Sequence, residues 1–295
     1  MKILLFGGAG QLGKEILAHA ENLSFTIVSP VLEEVDIVDQ GQVERLTRAV
    51  APAVVINCAA YTSVDKAEDE PEIAYRANRD GAGHVAEAAR AIGARIIHIS
   101  TDYVFGDASQ LSNRGPLDER TPTDPLNVYG KSKLEGELRV LQIGKNSATV
   151  LRTAWLHGAR GPNFLHTMMK LFREKEEVRV VNDQFGSPTW TGWLAEVILD
   201  CARIETSGLL HAACGGSTSW FGFAQAILEE MKIRGEKVRV ERLLPQTTAE
   251  AARKAVRPGY SALNSTKLSI VLGRESMDWR EGVRAHMAEL GEVGQ

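Results

Sequence analysis

Apolar positions in the first half of the chain fall into short runs separated by stretches with helical spacing. The runs are KILLF (2–6), FTIV (25–28), AVVIN (53–57), RIIHIS (95–100) and ATVLR (148–152). Each is nearly continuous rather than alternating, which is the pattern of a strand buried on both faces. Between them lie KEILAHA (14–20), QVERLTRAV (42–50) and the alanine-rich PEIAYRANRDGAGHVAEAARAIG (71–93), which read as helices, the last with Gly93 as its stop. Alternation of this kind predicts right-handed βαβ units and an α/β fold, a Rossmann-type doubly wound parallel sheet. After residue 150 the rhythm loosens. EVRVVND (177–183) and GLLHAA (208–213) read as strands, with helices near 190–204 and 219–232. The expected division is a dinucleotide-binding domain over 1–150, rejoined by about 190–206, and a smaller α+β substrate lobe over most of 151–295. The Gly/Pro/Asp-rich stretch 106–125 reads as a long structureless loop, a length often kept for function.

Composition narrows the function classes. The chain has 295 residues, 44% hydrophobic and 24% charged, with a net charge of −4. No basic surface is implied, so neither nucleic acid nor an anionic membrane is an expected partner. No apolar run approaches the ~18 residues of a membrane span. The apolar start MKILLF is too short for a signal-peptide core and is better read as a strand. Cys58, Cys201 and Cys214 lie far apart without metal-ligand spacing and read as reduced thiols of a cytoplasmic protein.

The first chemical signal is FGGAGQLG, directly after the first strand. Gly7, Gly10 and Gly13 sit where a chain must turn tightly, approach a pyrophosphate with its backbone and open a helix toward that anion, with Gln11 and Leu12 between them. The end of the second strand offers Ser29 and Pro30 in place of a ribose-binding carboxylate, with no arginine beside them. The choice between NADH and NADPH therefore stays open, and both are expected to serve. Asp36 and Ile37 either line an adenine pocket or form a turn before the next helix.

The second signal is NVYGKSK (127–133). Tyr129 and Lys133 are four apart, hence on one helical face, with Asp124 as the expected N-cap and Pro125 in the first turn. That spacing alone is weak evidence; its context carries the weight. Thr101 follows RIIHIS, at the carboxyl end of a parallel strand, where the ligand crevice lies. A phenol with a reference pKa near ~10 needs its anion stabilised to exchange protons at neutral pH, and a nearby ammonium does so through charge.

Read together, NCAAYTSVDKAE (57–68), STDYVFG (100–106), DPLNVYGKSKLEGE (124–137) and LRTAWLHG (151–158) resemble the extended short-chain dehydrogenase/reductase superfamily, and within it the dTDP-4-dehydrorhamnose reductase family. The likeness continues through NDQFGSPTWT (182–191), GLLHAACGGSTSW (208–220) and RPGYSALNSTKL (257–268). It implies that Thr101, Tyr129 and Lys133 are catalytic. Gly10, Gln11 and Leu12 would lie against cofactor phosphates, and Ala59, Ala60 and Tyr61 beside the cofactor. Asp102, Tyr103 and Trp155 would face substrate. Lys133 would also hold the nicotinamide ribose, and Thr101 the substrate oxygen. The implied reaction is NADH- or NADPH-dependent reduction of the 4-keto group of dTDP-4-dehydro-β-L-rhamnose. The partner is then a small nucleotide sugar, and a homodimer is compatible with the sequence.

Related enzymes differ at definable positions. The 4,6-dehydratases carry Asp-Glu after the threonine, where this chain has Asp102 and Tyr103. GDP-fucose synthases use a cysteine and a histidine in the site, and STDYVFG has no cysteine. No residue separates the chain from a UDP-galactose-type epimerase. A non-catalytic reading, a dinucleotide-binding regulatory subunit like that of methionine adenosyltransferase, is opposed by the intact Thr101, Tyr129 and Lys133. His98 reads as a core histidine, His157 and His211 carry no assigned role, Met168 and Met169 read as core, and Trp190, Trp193 and Trp220 read as packing residues. Arg152, Arg160 and Arg257 read either as diphosphate ligands or as plain surface ion pairs. Some relatives hold a divalent cation through glutamates where subunits meet. Glu15 fits one such position, but TWTGWLAE shows no second, so no metal is expected.

Overall fold

The protein, analysed as a computed structural model, is described over residues 1–21, 24–106 and 115–293. Its first half runs β1 (Lys2–Phe6), α1 (Gln11–Ala20), β2 (Thr26–Val28), α2 (Gln40–Val50), β3 (Val54–Asn57), α3 (Val64–Ala67) and α4 (Pro71–Tyr75). A π-helical turn over Arg76–Gly81 leads into α5 (Ala82–Ala91), β4 (Arg95–Thr101), a 3-10 turn over Asp102–Val104, α6 (Val128–Gly144) and β5 (Ala148–Thr153). The second half runs β6 (Leu156–His157), α7 (Phe164–Glu174), β7 (Glu177–Val181), β8 (Phe185–Gly186), β9 (Thr189–Trp190), α8 (Thr191–Ile204) and β10 (Gly208–His211). It closes with β11 (Thr218–Ser219), α9 (Trp220–Ile233), β12 (Arg242–Gln246), α10 (Thr248–Ala251), α11 (Thr266–Leu272) and α12 (Trp279–Val293).

Six strands form one parallel sheet in the order β10-β5-β4-β3-β1-β2. The continuous apolar runs are the reason: β3 and β5 are buried at every residue, and β4 at all but its first. One core layer, including Ile3, Leu5, Ile16, Leu194 and Ile198, packs α1 and α8 on one face. Leu4, Val55, Val85, Ala89 and Val150 form a second layer under α5 and α6. After β2 the chain returns to the other side of β1, so the order in which strands are added reverses between β1 and β3. Loops at the carboxyl ends of those two strands open a crevice there.

Two local expectations change. The segment 71–93 is not one regular helix, because its middle widens into the π turn. That turn places Asn78 so that its side chain accepts the Tyr61 amide at 2.8 Å and donates to the Tyr61 carbonyl at 3.0 Å and to Ser132 Oγ at 3.0 Å. A π turn spends helical regularity to aim a side chain, and here the return is three bonds to a buried amide. Helix α6 also starts later than Asp124 and Pro125 suggest. Its cap is Asn127, whose Oδ1 accepts the Gly130 amide at 2.8 Å. Pro125 instead packs beside Gly130. Of the long loop expected over 106–125, residues 107–114 lie outside the described residues. The rest is ordered by Leu117, which pairs with the chain at 262–264, and by a turn around Asp118.

Asn127 joins the helix cap to the C-terminal half, since its Nδ2 donates to the Val256 carbonyl at 2.8 Å. Asn127→Ala removes both bonds and should lower the unfolding free energy by about 1–2 kcal/mol. Urea denaturation followed by circular dichroism checks this, and an unchanged midpoint would refute it.

Candidate active site

The loop after β1 is shaped by close backbone approach. Gly7 has φ +85°, and a Cβ there would lie 2.5 Å from the Ala59 amide nitrogen. A Cβ on Gly13 would lie 2.2 Å from the Gly7 carbonyl oxygen. Gly10 caps α1 without a side-chain bond, and the first helical bond runs from Lys14 N–H to the Gly10 carbonyl at 3.0 Å. The N–H groups of Gln11, Leu12 and Gly13 thus precede the helical ladder, at the positive end of the dipole, and all three residues line a cavity.

Two cavities meet at this loop. One, of about 480 Å³, is lined by Gly7, Gly10, Gln11, Leu12 and Gly13 and extends to Thr101, Asp102, Tyr103, Tyr129, Lys133 and Trp155. The other, of about 550 Å³, is lined by Gly7–Gly10, Leu32, Asp36, Ile37, Ala59, Ala60, Tyr61, Ile73 and Arg76. An elongated dinucleotide fits this arrangement: donor groups at the junction for a pyrophosphate, flat apolar walls on one side for a purine, and hydroxyl and ammonium groups on the other. The residues expected at the cofactor are brought together around the junction. Ala59 N–H is held by Asn57 Oδ1 at 3.1 Å, and Tyr61 donates its phenol to Glu70 at 2.7 Å.

Asp36 lines the second cavity, where its Oδ1 accepts the Val38 amide at 3.0 Å. Ser29 Oγ turns inward to the Leu5 carbonyl at 3.1 Å. The expectation that no arginine stands near this end is corrected: Arg76 enters from the π turn, 48 residues or so beyond β2 in sequence and next to Ile73 in space. Local sequence around Ser29 gave no sign of it.

At the other end, Thr101 closes β4. Its hydroxyl accepts the Tyr103 amide at 3.2 Å and donates to Asp102 Oδ1 at 3.1 Å. Thr101 and Tyr129 line the same cavity. The Tyr129 and Tyr103 rings meet edge to face, with centroids 5.7 Å apart. This approach needs a glycine at position 130, because a Cβ there would lie 2.2 Å from the Tyr103 carbonyl oxygen. Burial raises the Tyr129 pKa above the usual phenol range, and the charge of Asp102 raises it further. Lys133 is 3% exposed and donates to the Ile99 carbonyl at 2.6 Å. Burial lowers its pKa to about 8, against the opposing charge of Glu137. Burial raises Asp102 to about 6, offset in part by bonds from Ser261, at 2.6 Å, and Thr101.

Several contributors escaped the sequence reading. Ser261, from the C-terminal half, is one; it lies in the RPGYSALNSTKL motif, but only folding sets it on Asp102. Trp220, expected as packing, lines the catalytic cavity and stacks on Trp155, with centroids 3.5 Å apart and planes 5° apart. Trp155 itself holds φ +47°, a strained conformation for a bulky residue and one that recurs at functional sites. Arg152 is neither a surface pair nor open to a ligand: it forms a buried pair with Glu137 at 2.7 Å. His98 is buried against Asn57 at 3.2 Å, and His211 against the Leu117 carbonyl at 3.0 Å. Trp193, Met168 and Met169 are buried in the core. Glu15 is buried in α1 beside His19 and Arg160, each at 3.4 Å. Among the described residues no group of three or more His, Cys, Asp or Glu side chains is arranged to hold a metal ion.

A doubly wound sheet, a glycine loop at its switch point and a Thr-Tyr-Lys set at the ends of β4 and α6 define the short-chain dehydrogenase/reductase architecture. The comparisons narrow this further. The RmlD substrate binding domain family matches residues 1–292, and the chain belongs to that family. A dTDP-4-dehydrorhamnose reductase of Escherichia coli is 37% identical over 98% of this chain and 98% of its own length. A spore coat polysaccharide biosynthesis protein of Bacillus subtilis is 37% identical over 98% and 97%. A dTDP-4-dehydrorhamnose reductase structure from Clostridium acetobutylicum superposes with a TM-score of 0.91 at 37% identity, covering 99% of this chain and 100% of that one. The Bacillus anthracis enzyme, solved in complex with NADP, superposes at 0.88 with 36% identity, covering 98% and 99%.

A lysine with a lowered pKa is cationic below that value and neutral above it. A function that needs the ammonium is therefore complete below pH 8 and is lost as pH rises through about 8. The kcat/KM profile, which reports the free enzyme, should show an alkaline limb near that value. A profile flat to pH 9.5 would remove Lys133's charge from the chemistry.

Proposed function

We propose that the protein reduces the 4-keto group of dTDP-4-dehydro-β-L-rhamnose, giving dTDP-β-L-rhamnose, with NADH or NADPH as reductant. The observation that carries this reading is the position of the Thr101 and Tyr129 hydroxyls. Both residues line a cavity that begins at the glycine loop and extends to Trp155. The relatives named above support the substrate.

The dinucleotide, when bound, supplies the hydride. Thr101 can rotate its O–H from Asp102 Oδ1 onto the substrate carbonyl and hold it. Tyr129 gives its proton to the alkoxide oxygen as that charge develops. Its raised pKa suits a donor, because the phenol stays protonated until the alkoxide, a far stronger base, forms beside it. The Lys133 ammonium donates to the Ile99 carbonyl at 2.6 Å. We assign it to the nicotinamide ribose. Asp102, Tyr103 and Trp155 face the sugar, and Asp36 and Ile37 the adenine.

In the same reading, 1–150 is the cofactor domain and 151–295 contributes mainly the substrate lobe, although α8 packs on α1 and β10 extends the sheet beside β5. Three free thiols accord with a cytoplasmic protein, and assembly as a homodimer is compatible with it. Among the described residues no helix is long and apolar enough to cross a membrane.

Tyr129→Phe keeps ring and helix, so NADH binding should persist while kcat falls by about 10²–10⁴. Retention of more than about half the rate would show that the phenol is not the acid. Trp155→Ala should raise KM for the nucleotide sugar and leave NADH affinity nearly unchanged; the opposite pattern in fluorescence titration and steady-state kinetics would place Trp155 outside the substrate site. Both cofactors should support turnover within roughly a hundredfold, about 2.7 kcal/mol. Parallel assays with NADH and NADPH measure the ratio directly, and a larger one would defeat the expectation.

A further inference from the structure

Two segments far apart in the chain are fastened together at the mouth of the catalytic cavity. Asp65, in α3, accepts Arg257 Nη1 at 3.1 Å and Nη2 at 2.9 Å, and also accepts the Ala255 amide at 3.0 Å. Arg257 Nη1 donates to the Ala255 carbonyl at 3.1 Å as well. The Arg257 side chain is only 16% exposed. On either side, Lys254 pairs with Asp69, and the Val256 carbonyl receives Asn127. The strap 254–257 is therefore docked on α3 and on the start of α6.

This strap stands where two cavities adjoin. Val64 and Tyr103 line the catalytic cavity, and Arg253 and Arg257 line a second one of about 490 Å³, to which Arg179 and Gln246 also contribute. Trp220 lines both. A sugar held at Thr101 and Tyr129 carries its linker outward from the first cavity, and cationic side chains line the second.

We propose that Asp65 is a positioning residue that presents Arg257 to the diphosphate of the nucleotide-linked substrate. The proposal rests on the nucleotide-sugar reading above. A bidentate carboxylate fixes the plane of a guanidinium, so the rotamer freedom that a loose arginine surrenders on binding an anion is already gone. The Arg257 guanidinium holds the Asp65 carboxyl down at about 2, so the fork stays ionised throughout the working range. Asp65 also offsets part of the charge it orients. The claim is that orientation outweighs this loss.

Thymidine diphosphate is the probe, titrated calorimetrically into the wild type and into Asp65→Ala, Arg257→Met and Arg257→Lys. Each variant should bind it about tenfold more weakly or worse, because lysine keeps the charge but not the fork. NADH affinity, unchanged within about twofold, reports that the variants remain folded. An Arg257→Lys variant that binds like the wild type would mean charge alone suffices, and the proposal fails. An Asp65→Ala variant that binds equally or more tightly, even with a lowered Tm, would make the pair a mere staple between segments and also overturn it. Wild-type binding of thymidine diphosphate with these variant losses, but no turnover of any nucleotide-linked ketone, would sink the reductase reading and leave the role of Asp65 standing. Failure of the wild type to bind thymidine diphosphate would sink the role of Asp65.

Discussion

The missing side chain at position 130 is the constraint on which the site depends. The first turn of α6 must reach the 3-10 turn at the end of β4 closely enough for Tyr129 to share a cavity with Thr101. Any Cβ at residue 130 would collide with the Tyr103 carbonyl, a rigid backbone group that cannot swing aside. The same contact stacks the Tyr103 ring edge against Tyr129. Asn127 then fixes where the helix begins, and its second bond, to Val256, makes the C-terminal half part of the same joint.

Around that contact the protein buries polar groups that water would otherwise hold. Lys133 and Asp102 are buried and Tyr129 is half-buried, and desolvation moves each toward its neutral form. For Tyr129 this keeps the phenol protonated. For Lys133 the cost is met by the Ile99 carbonyl, and for Asp102 by the hydroxyls of Thr101 and Ser261. A cavity with such walls strengthens every charge brought into it, which suits a reaction that creates an oxyanion. Thr101 and Ser261 are thus tied to Asp102, and Lys133 to the Ile99 carbonyl of β4, by hydrogen bonds.

The cofactor side is governed by backbone rather than by charge. Gly7 and Gly13 let β1, β3 and α1 converge, and the N-terminus of α1 is left with donors for an anion. The π turn supports this from behind: Asn78 holds both backbone groups of Tyr61, so the loop after β3 keeps its shape. The turn also carries Arg76 into the cavity lined by Leu32, Asp36 and Ile37.

The sequence by itself determined the sheet, because continuous apolar runs of strand length have few other ways to satisfy both burial and backbone hydrogen bonds. It likewise made the glycine loop and the spacing of Tyr129 and Lys133 legible, because each lies within one short stretch of chain, whereas the approach of α6 to the end of β4 brings Thr101 into the same cavity. Contacts between elements were decided only by the tertiary structure. Nothing near Ser29 announces Arg76, nothing near Asp102 announces Ser261, and Arg152 looks like a surface arginine until it is paired with Glu137. Trp220 reads as one more helical aromatic, yet the fold sets it against Trp155 in the cavity. Asp124 had the better helix-start motif on paper, but Asn127 caps α6 because Val256 and Gly130 hold it there. Periodicity and local motifs act over a few residues along the chain, whereas most of these partners lie between 15 and 159 residues apart, and packing alone brings them together.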